Sequence, residues 1–402
     1  MLKIVAIKIS FERIDTKMEC IIRKGAVQEL PRLCEGYSDI LYVADKNTYV
    51  ASGLTIDGIF LFDTPESTPL VPNEESIAAL EARVTDKTDL IVGIGSGVIN
   101  DLCKYVSFQH KLPYYIVATA PSMDGYASVG AAMIINNMKI TYTAHAPKAI
   151  IADVDILKNA PGKMIQAGYG DIIGKYSALN DWELANLVIG ESIDYSICGE
   201  VREAMDKVIA LKDKLLDNDD DSIQALTDAL IMVGIAMKKV GNSRPASGSE
   251  HHLSHFFEIT GLIDNTPYFD HGIDVAYSTV VTAKLRDMIA DGYIKPSFDR
   301  SFWESRVNEI YKKAAPGIIE LQDKVKFHEL TVDTAPEKIN EILRRHPSAD
   351  EIVSLIEPVG YDMKEFENLY GEKKIRDAVY YAKDLKDRYT VLWFLEEGKK
   401  GI

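Results

Sequence analysis

Histidines are the residues of this chain best placed to do chemistry, because four of the eight lie close together: His251, His252, His255 and His271. Ser247 and Glu250 have capping-box spacing, which predicts a helix beginning there. His251 and His255 would then lie one turn apart on one face, whereas His252 is rotated by about 100° and cannot share that face with both. The pattern predicts a site built on one helical face.

A carboxylate could complete such a site. His271 is predicted to begin another helix, and Asp171 stands in the helical segment AGYGDIIGKYSALNDW. One carboxylate and two imidazoles from separate helices suit Zn²⁺, Ni²⁺ or Fe²⁺ and leave a position open for substrate. The alternatives are ordinary surface or core histidines and an i,i+4 ion pair between Asp171 and Lys175.

A glycine-rich turn predicts a second kind of site. DLIVGIGSGVINDLCKYVSFQH is interpreted as a strand ending at Gly93, a turn through Gly95, Ser96 and Gly97, and a helix from about Val98. Such a turn lets backbone N–H groups approach a pyrophosphate at the start of a helix. The spacing does not match G-x-G-x-x-G, so a tight turn without a ligand is the alternative.

Polar side chains follow two further strands. The loop ATAPSMDGYAS, residues 118 to 128, holds Thr119, Ser122, Asp124 and Ser128, which could bond the phosphate, ribose or amide of a cofactor. The alternative is a polar loop that caps a helix. Asp45 follows the LYVA strand, where a carboxylate could bind the adenosine ribose and repel a 2′-phosphate, which favours NAD over NADP.

The elements that must position these residues fall into two halves. Short apolar runs alternate with helical periodicity from Leu41 to about Asp155, which indicates a parallel sheet with crossover helices. From Pro161 onward almost all apolar residues recur at three- and four-residue spacing. We therefore predict an α/β dinucleotide-binding domain over 1–160 and an all-helical metal- and substrate-binding domain over 161–402, divided at the NAPGK break.

Composition narrows the class of protein. The chain has 402 residues, 47% hydrophobic and 26% charged, with a net charge of −16, which argues against nucleic-acid or membrane-surface partners. The four cysteines lack the spacing of a structural zinc site. The start, MLKIVAIKISFERIDTK, alternates like a strand and lacks the features of a signal peptide, and no apolar run is long enough to span a membrane. We expect a cytoplasmic protein.

Several motifs together resemble those of the glycerol-1-phosphate dehydrogenases, archaeal enzymes with bacterial relatives, within the wider iron-alcohol-dehydrogenase and dehydroquinate-synthase-like superfamily. The resemblance runs from about Leu90 to Gly272. Its most specific motif is SRPASGSEH, whose last residue, His251, begins an HxxxH pair with His255. The motifs in order are GIGSGVIND, TAPSMDGYAS, KAIIADVDIL, GYGDIIGKYSALNDW, SRPASGSEHHLSH and DHG.

The resemblance assigns roles to particular residues. Asp171, His251 and His271 match metal ligands, Asp171 also contacting substrate, while His255 matches a catalytic histidine on the substrate side and Asp124 a substrate-contacting aspartate. Lys175 stands where some superfamily members place another histidine ligand, which favours three protein ligands plus water. Zinc is the expected metal, with nickel in some bacterial members. The expected dinucleotide contacts are Gly95, Ser96, Gly97, Val98, Ile99, Thr119, Ala120, Pro121, Ser122 and Ser128.

The implied activity is reversible, NAD(P)H-dependent reduction of dihydroxyacetone phosphate to sn-glycerol 1-phosphate by a homo-oligomer. Arg244 is a candidate ligand for the substrate phosphate, an ordinary helix-end cation being the alternative. Rival activities on the same fold are those of glycerol dehydrogenase and 3-dehydroquinate synthase. A catalytically inactive nucleotide-binding protein is a further alternative, against which the intact Asp171, His251 and His271 set argues.

Overall fold

The computed structural model describes residues 18–63, 70–135, 138–292, 295–330 and 336–397. The strand-like pattern expected over 1–17 lies outside these residues. The chain divides into two compact units. The first takes in the described residues up to Ile135, Lys139–Ile165 and Asp217–Lys238, and the second takes in Gln166–Leu216 and the described residues from Lys239 onward. The domain bounds 1–160 and 161–402 stay a prediction.

The first unit is built on a six-stranded sheet in the order β1-β8-β5-β4-β2-β3, with every pair parallel. Two further strands form a separate two-stranded sheet. The strands are β1 (Glu19–Arg23), β2 (Ile40–Asp45), β3 (Phe60–Phe62), β4 (Leu90–Gly95), β5 (Tyr114–Ala118), β6 (Gly130–Ile135), β7 (Met138–Thr143) and β8 (Ala149–Asp153).

The sheet follows from its apolar strands. β4, β5 and β8 are buried along their whole length, as expected for parallel strands with both faces covered. The predicted strands at 41–45, 58–62, 89–95, 113–120 and 148–157 are confirmed with shifted ends. β4 continues to Gly95 rather than ending at Gly93, because Gly95 still pairs with Ala118. The sequence analysis did not predict β1, β6 or β7.

Helices connect the strands of the first unit, and a long helix from later in the chain joins them. They are α1 (Leu30–Leu33), α2 (Lys46–Ser52), α3 (Glu74–Glu81), α4 (Gly97–Gln109) and α5 (Val154–Leu157). The later helix of this unit is α9 (Asp220–Val240). Between α5 and α9 lie three helices that belong mostly to the second unit: α6 (Gly162–Ile173), α7 (Lys175–Ile189) and α8 (Tyr195–Ile209).

The second unit is helical, as predicted, with no strand among its described residues apart from Met138 of β7. Its further helices are α10 (Ser249–Asp264), α11 (His271–Ala290), α12 (Arg300–Tyr311), α13 (Ala315–Val325), α14 (Pro336–Leu343), α15 (Ala349–Ile356) and α16 (Met363–Tyr381). Short 3-10 helices lie at Ala26–Glu29, Lys212–Asp217, Lys312–Ala314, Phe327–Glu329, Glu357–Val359, Ala382–Leu385 and Val391–Phe394. Within the described ranges, no helix combines the length and apolarity that crossing a membrane requires.

Helices α6 and α11 approach each other closely at two glycines. A Cβ on Gly272 would lie 1.9 Å from the carbonyl oxygen of Ala167, and one on Gly170 would lie 2.2 Å from the carbonyl oxygen of Gly272. Only residues without a side chain permit this backbone contact. Because Asp171 follows Gly170 and His271 precedes Gly272, the contact brings these two residues together.

The start of helix α10 is anchored from elsewhere in the second unit. The buried carboxylate of Asp181, on α7, accepts the backbone N–H of Ser249 at 2.6 Å and that of Val391 at 2.9 Å. It also pairs with Arg286 of α11 at 2.8 Å. One carboxylate thus fixes the first turn of α10 relative to two neighbouring helices and the C-terminal segment.

We expect Gly272→Ala to destabilise the protein by about 1–3 kcal/mol and to lower its metal content, since the new methyl group must force α6 and α11 apart. The matched control is Gly199→Ala at an exposed position of helix α8, where an added Cβ meets no atom within 4 Å. That change should be neutral or stabilise by about 0.4–1 kcal/mol. Urea unfolding measures the change in stability, and metal analysis measures the change in metal content. Equal stability of the two variants would show that the contact between α6 and α11 tolerates a Cβ at position 272.

Candidate active site

Three residues predicted as metal ligands come together in the second unit. Asp171 lies near the end of α6, His251 in the first turn of α10, and His271 at the first position of α11, as predicted. Each offers a ligand atom within 4.8 Å of the others. Asp171 and His251 are buried, and His271 is half-buried.

The spacing of these atoms fits a divalent metal ion. Zinc bonds of about 2.1 Å in tetrahedral geometry place ligand atoms about 3.4 Å apart. Nε2 of His251 lies 3.5 Å from Oδ1 of Asp171, and the rings of His251 and His271 lie 5.0 Å apart. The donor set of one carboxylate and two imidazoles therefore suits a divalent ion such as zinc, for which three protein donors would leave one tetrahedral position.

Lys175 is the alternative partner of Asp171, and the predicted ion pair is present. Its buried ammonium donates to Oδ1 of Asp171 at 2.7 Å and to the carbonyl oxygen of Ala246 at 3.0 Å. Burial by itself raises the pKa of Asp171, but Lys175 and then the two histidines lower it below its usual range. Asp171 is therefore ionised at neutral pH, as a metal ligand must be.

Helix α10 does not begin with the predicted capping box. The helix starts at Ser249 with Gly248 as its N-cap, and no side chain caps it there. The Ser247 hydroxyl is buried without a hydrogen-bond partner in the described part of the chain. Asp181 supplies the carboxylate that accepts the Ser249 N–H, so the predicted role of Ser247 is wrong and the cap comes from α7.

Glu250 instead contacts a predicted ligand. Its Oε1 atom accepts the N–H of Gly248 at 2.8 Å and lies 2.6 Å from Nδ1 of His251. Burial raises the pKa of Glu250 to about 7. Burial and then the charge of Lys175 lower the pKa of His251 well below its ordinary value, so its ring is neutral. The contact is a hydrogen bond rather than an ion pair.

The other two histidines of the cluster separate as the helical geometry predicts. His255 is half-buried, and its ring is stacked at 5.4 Å on His271 and lies 6.1 Å from His251. His252 is fully buried, and neither ring nitrogen finds a hydrogen-bond partner in the ranges that the structure covers. His255 therefore accompanies the three candidate ligands, and His252 does not.

The glycine-rich turn joins β4 to α4 in the first unit, as predicted. Ser96 is the N-cap residue of α4, but its side chain makes no capping hydrogen bond. A Cβ on Gly97 would find its nearest neighbour, Cγ of Met123, at 3.7 Å, an ordinary contact. The surrounding protein thus does not require glycine at 97, which is consistent with a requirement imposed by a ligand.

The loop after β5 is held by a lysine that the sequence analysis missed. Lys104 of α4 is fully buried, and its ammonium donates to the carbonyl oxygens of Gly125 and Gly130 at 2.8 and 2.9 Å. It also lies 3.4 Å from the hydroxyl of Ser128. Burial lowers the pKa of Lys104 to about 8. The helix of the glycine turn and the loop with Asp124 are therefore tied together.

Thr119, Ala120 and Pro121 begin this loop and are buried, while Ser122 and Asp124 are half-buried. The backbone N–H of Thr119 donates to the carbonyl oxygen of Gly95 at 3.1 Å. The loop therefore starts beside the glycine turn.

Two more predicted site residues have structural partners. Asp45 is the N-cap of α2, where its Oδ1 accepts the N–H of Thr48 at 2.9 Å in a capping box. Arg244 is buried, pairs through two of its nitrogens with Glu191, and donates to the carbonyl oxygen of Tyr389 at 2.9 Å. The structure therefore gives Arg244 a structural ion pair, and its role toward substrate stays a prediction.

The comparisons with known proteins agree with this fold. A family model described as iron-containing alcohol dehydrogenase matches residues 21–161. Among solved structures, an iron-containing alcohol dehydrogenase from Thermococcus thioreducens has a TM-score of 0.58 at 16% identity, covering 92% of this chain and 91% of that one. A glycerol dehydrogenase from Schizosaccharomyces pombe has a TM-score of 0.54 at 16% identity, covering 90% and 94%. The fold is that of the iron-containing alcohol dehydrogenases.

Sequence relatives narrow the class. A glycerol-1-phosphate dehydrogenase [NAD(P)+] from Bacillus licheniformis is 30% identical over 92% of this chain and 86% of its own length. Another, from Halalkalibacterium halodurans, is 28% identical over 95% and 93%. The chain belongs to the glycerol-1-phosphate dehydrogenase family. It is therefore an oxidoreductase, and the resemblance found in its motifs is confirmed.

We expect Gly97→Val to raise the dissociation constant for NADH at least about tenfold, the worth of one hydrogen bond to a charged group, because the side chain would hold the pyrophosphate off the backbone donors. Gly97→Ala should follow in the same direction with an unchanged melting temperature. Gly95→Ala is the contrast, since its Cβ would lie 2.6 Å from Cβ of Ile99 and should lower the melting temperature as well. NADH fluorescence titration is the measurement, and an unchanged constant in Gly97→Val would make the turn merely structural.

Proposed function

We propose that this chain catalyses the reversible, NAD(P)H-dependent reduction of dihydroxyacetone phosphate to sn-glycerol 1-phosphate. The observation that carries the proposal is the grouping of Asp171, His251 and His271 within 4.8 Å in a member of this family. An intact donor set of this kind has no purpose in an inactive nucleotide-binding protein. It fits a reaction in which negative charge develops on a carbonyl oxygen.

Asp171, His251 and His271 are the proposed ligands of one divalent metal ion, with zinc favoured and nickel as the alternative. Two imidazole nitrogens and one carboxylate oxygen are ordinary zinc donors, and Lys175 stands where some superfamily members place another histidine ligand. When bound, the ion would supply Lewis acidity toward the substrate carbonyl. Asp171 is also expected to lie against the substrate.

His255 and Asp124 are the proposed residues that handle the proton of the alcohol oxygen. His255 lies beside the candidate ligands without being one of them, and it is half-buried, so its ring is accessible to a substrate. Asp124 is half-buried in a loop that Lys104 holds in place. An imidazole and a carboxylate can orient the substrate hydroxyls and exchange a proton with them.

The glycine turn and the loop after β5 are proposed to bind the dinucleotide. The uncapped start of α4 offers backbone N–H groups to the pyrophosphate. The hydroxyls of Thr119, Ser122 and Ser128 are proposed to contact the rest of the cofactor. Asp45 already caps α2 through Oδ1, so a ribose hydroxyl would bind its other oxygen, which favours NAD over NADP.

The substrate phosphate requires cations that Arg244 by itself does not supply, since its donors bind Glu191 and Tyr389. The guanidinium of Arg388 donates to the carbonyl oxygen of Ser247 at 2.7 Å, close to the start of α10. Burial and then the charges of two cations, Lys386 and Arg388, lower the pKa of His252 well below its ordinary value. We propose that they contribute to the phosphate environment. A homo-oligomeric state and a cytoplasmic location are further proposals from the sequence.

Oxidation of NADH in the presence of dihydroxyacetone phosphate, with assignment of the product's stereochemistry, tests the proposed function. Formation of sn-glycerol 1-phosphate would support it. Glycerol oxidation without activity on the phosphate would indicate a glycerol dehydrogenase. Turnover of the dehydroquinate synthase substrate would indicate that lyase, and inactivity of the zinc- and nickel-loaded protein on all three would overturn the proposal.

We predict that His271→Ala and Asp171→Asn each abolish turnover and lower the metal content while leaving cooperative unfolding, because a site with three protein ligands loses affinity when one is removed. Metal analysis of the purified variants beside NADH oxidation is the test. Full metal occupancy with normal activity in either variant would remove that residue from the site.

We predict that His255→Ala retains metal and cofactor but lowers kcat by about 10²-fold, the usual effect of removing a proton-transfer group. A rise in KM with kcat unchanged would instead assign His255 to substrate positioning. Steady-state kinetics and metal analysis separate these results. Loss of metal would mean that His255 is a ligand, and wild-type values of both constants would make it a packing residue.

A further inference from the structure

Helix α10 carries the candidate ligand His251 and also two side chains that contact candidate metal ligands. Glu250 precedes His251, and Ser254 lies one turn farther along the same helix. Oε1 of Glu250 lies 2.6 Å from Nδ1 of His251, and the hydroxyl of Ser254 lies 3.2 Å from Nδ1 of His271. Both side chains are fully buried.

We propose that Glu250 and Ser254 are positioning residues that orient His251 and His271 toward the metal. The inference rests on the proposed metal site. Each would accept the Nδ1–H of its histidine, which leaves Nε2 unprotonated as the ligand atom. Metal-binding histidines generally need such a partner for the second nitrogen, because it sets the tautomer and the orientation of the ring.

Glu250 presents to His251 an oxygen that already accepts one N–H group. Oε1 accepts the Gly248 N–H at 2.8 Å and lies 2.6 Å from Nδ1 of His251. The second oxygen, Oε2, is buried and has no hydrogen-bond partner in the described ranges. In the proposed arrangement His251 is the donor to Oε1, and its Nε2 lies 3.5 Å from Oδ1 of Asp171.

Ser254 holds His271 by a similar contact from the neighbouring helix. Its hydroxyl lies 3.2 Å from Nδ1 and also donates to the carbonyl oxygen of His271 at 3.3 Å. A hydroxyl that donates to the carbonyl keeps its lone pairs for the Nδ1–H. Since Glu250 and Ser254 share one helix, a single element orients ligands from both α10 and α11.

The test is direct zinc binding by the full chain, without cofactor or substrate, in competition with a chromophoric chelator. We expect Glu250→Ala to raise the zinc dissociation constant by about 10–100-fold and Ser254→Ala by about tenfold, the range for lost outer partners of metal ligands. Glu250→Gln retains an oxygen that can accept both N–H groups, so it should restore most of the affinity.

Matched controls separate orientation from general stability. Ser247→Ala removes a buried hydroxyl of the same segment that has no hydrogen-bond partner in the described chain. Asp274→Asn alters a buried carboxylate one turn after His271 that bonds Tyr370 at 2.8 Å instead of a ligand. Both should keep the wild-type zinc constant even where the melting temperature falls.

Wild-type zinc affinity in folded Glu250→Ala and Ser254→Ala would overturn the proposal. If Glu250→Ala does not fold, the zinc affinity of Ser254→Ala decides. A Glu250→Gln variant whose zinc dissociation constant rises as much as is expected for Glu250→Ala would also contradict the acceptor role. His271→Ala identifies failure of the metal site itself, since it should lose zinc in any case. Because no substrate is present, failure of the proposed reaction leaves this result unaffected.

Discussion

The contact between α6 and α11 is the constraint on which the site depends. Two helices whose backbones touch at Gly170 and Gly272 cannot slide or rotate without a clash. Asp171 and His271 flank the contact, so their separation is set by backbone geometry instead of by flexible side chains. Helix α10 then has only to place His251 beside these two residues, and Asp181 fixes the position of its first turn by accepting the Ser249 N–H.

In the first unit a buried charge holds the loop after β5 in position. Lys104 rises from α4 to bind the carbonyl oxygens of Gly125 and Gly130. A buried ammonium needs several acceptors to offset its desolvation, and the loop provides them. The loop whose residues are proposed to bind the cofactor is thus held in place by a buried charge.

Much of this arrangement could be predicted from local sequence. The parallel sheet, the helical second half and the helices that carry Asp171, His251 and His271 follow from apolar periodicity, and separation of His252 from His255 follows from helical geometry. The contacts that local sequence could not show depend on distant partners. Ser247 fits a capping box, yet Asp181, 68 residues from Ser249, takes the capping role by accepting the Ser249 N–H. The sequence around Gly170 gives no sign that this residue contacts Gly272. Arg244 pairs with Glu191, which lies 53 residues away.

The ion pair between Lys175 and Asp171 bears on how the protein matures. A buried carboxylate without a counterion would be costly, and in many small metalloproteins that cost couples folding to metal uptake. Here an ammonium from the next helix already balances the charge at 2.7 Å. Folding therefore does not require a metal ion to balance this charge, and the proposed ion would bind afterwards. Cellular metal supply would then govern how much enzyme is active without governing how much of it survives.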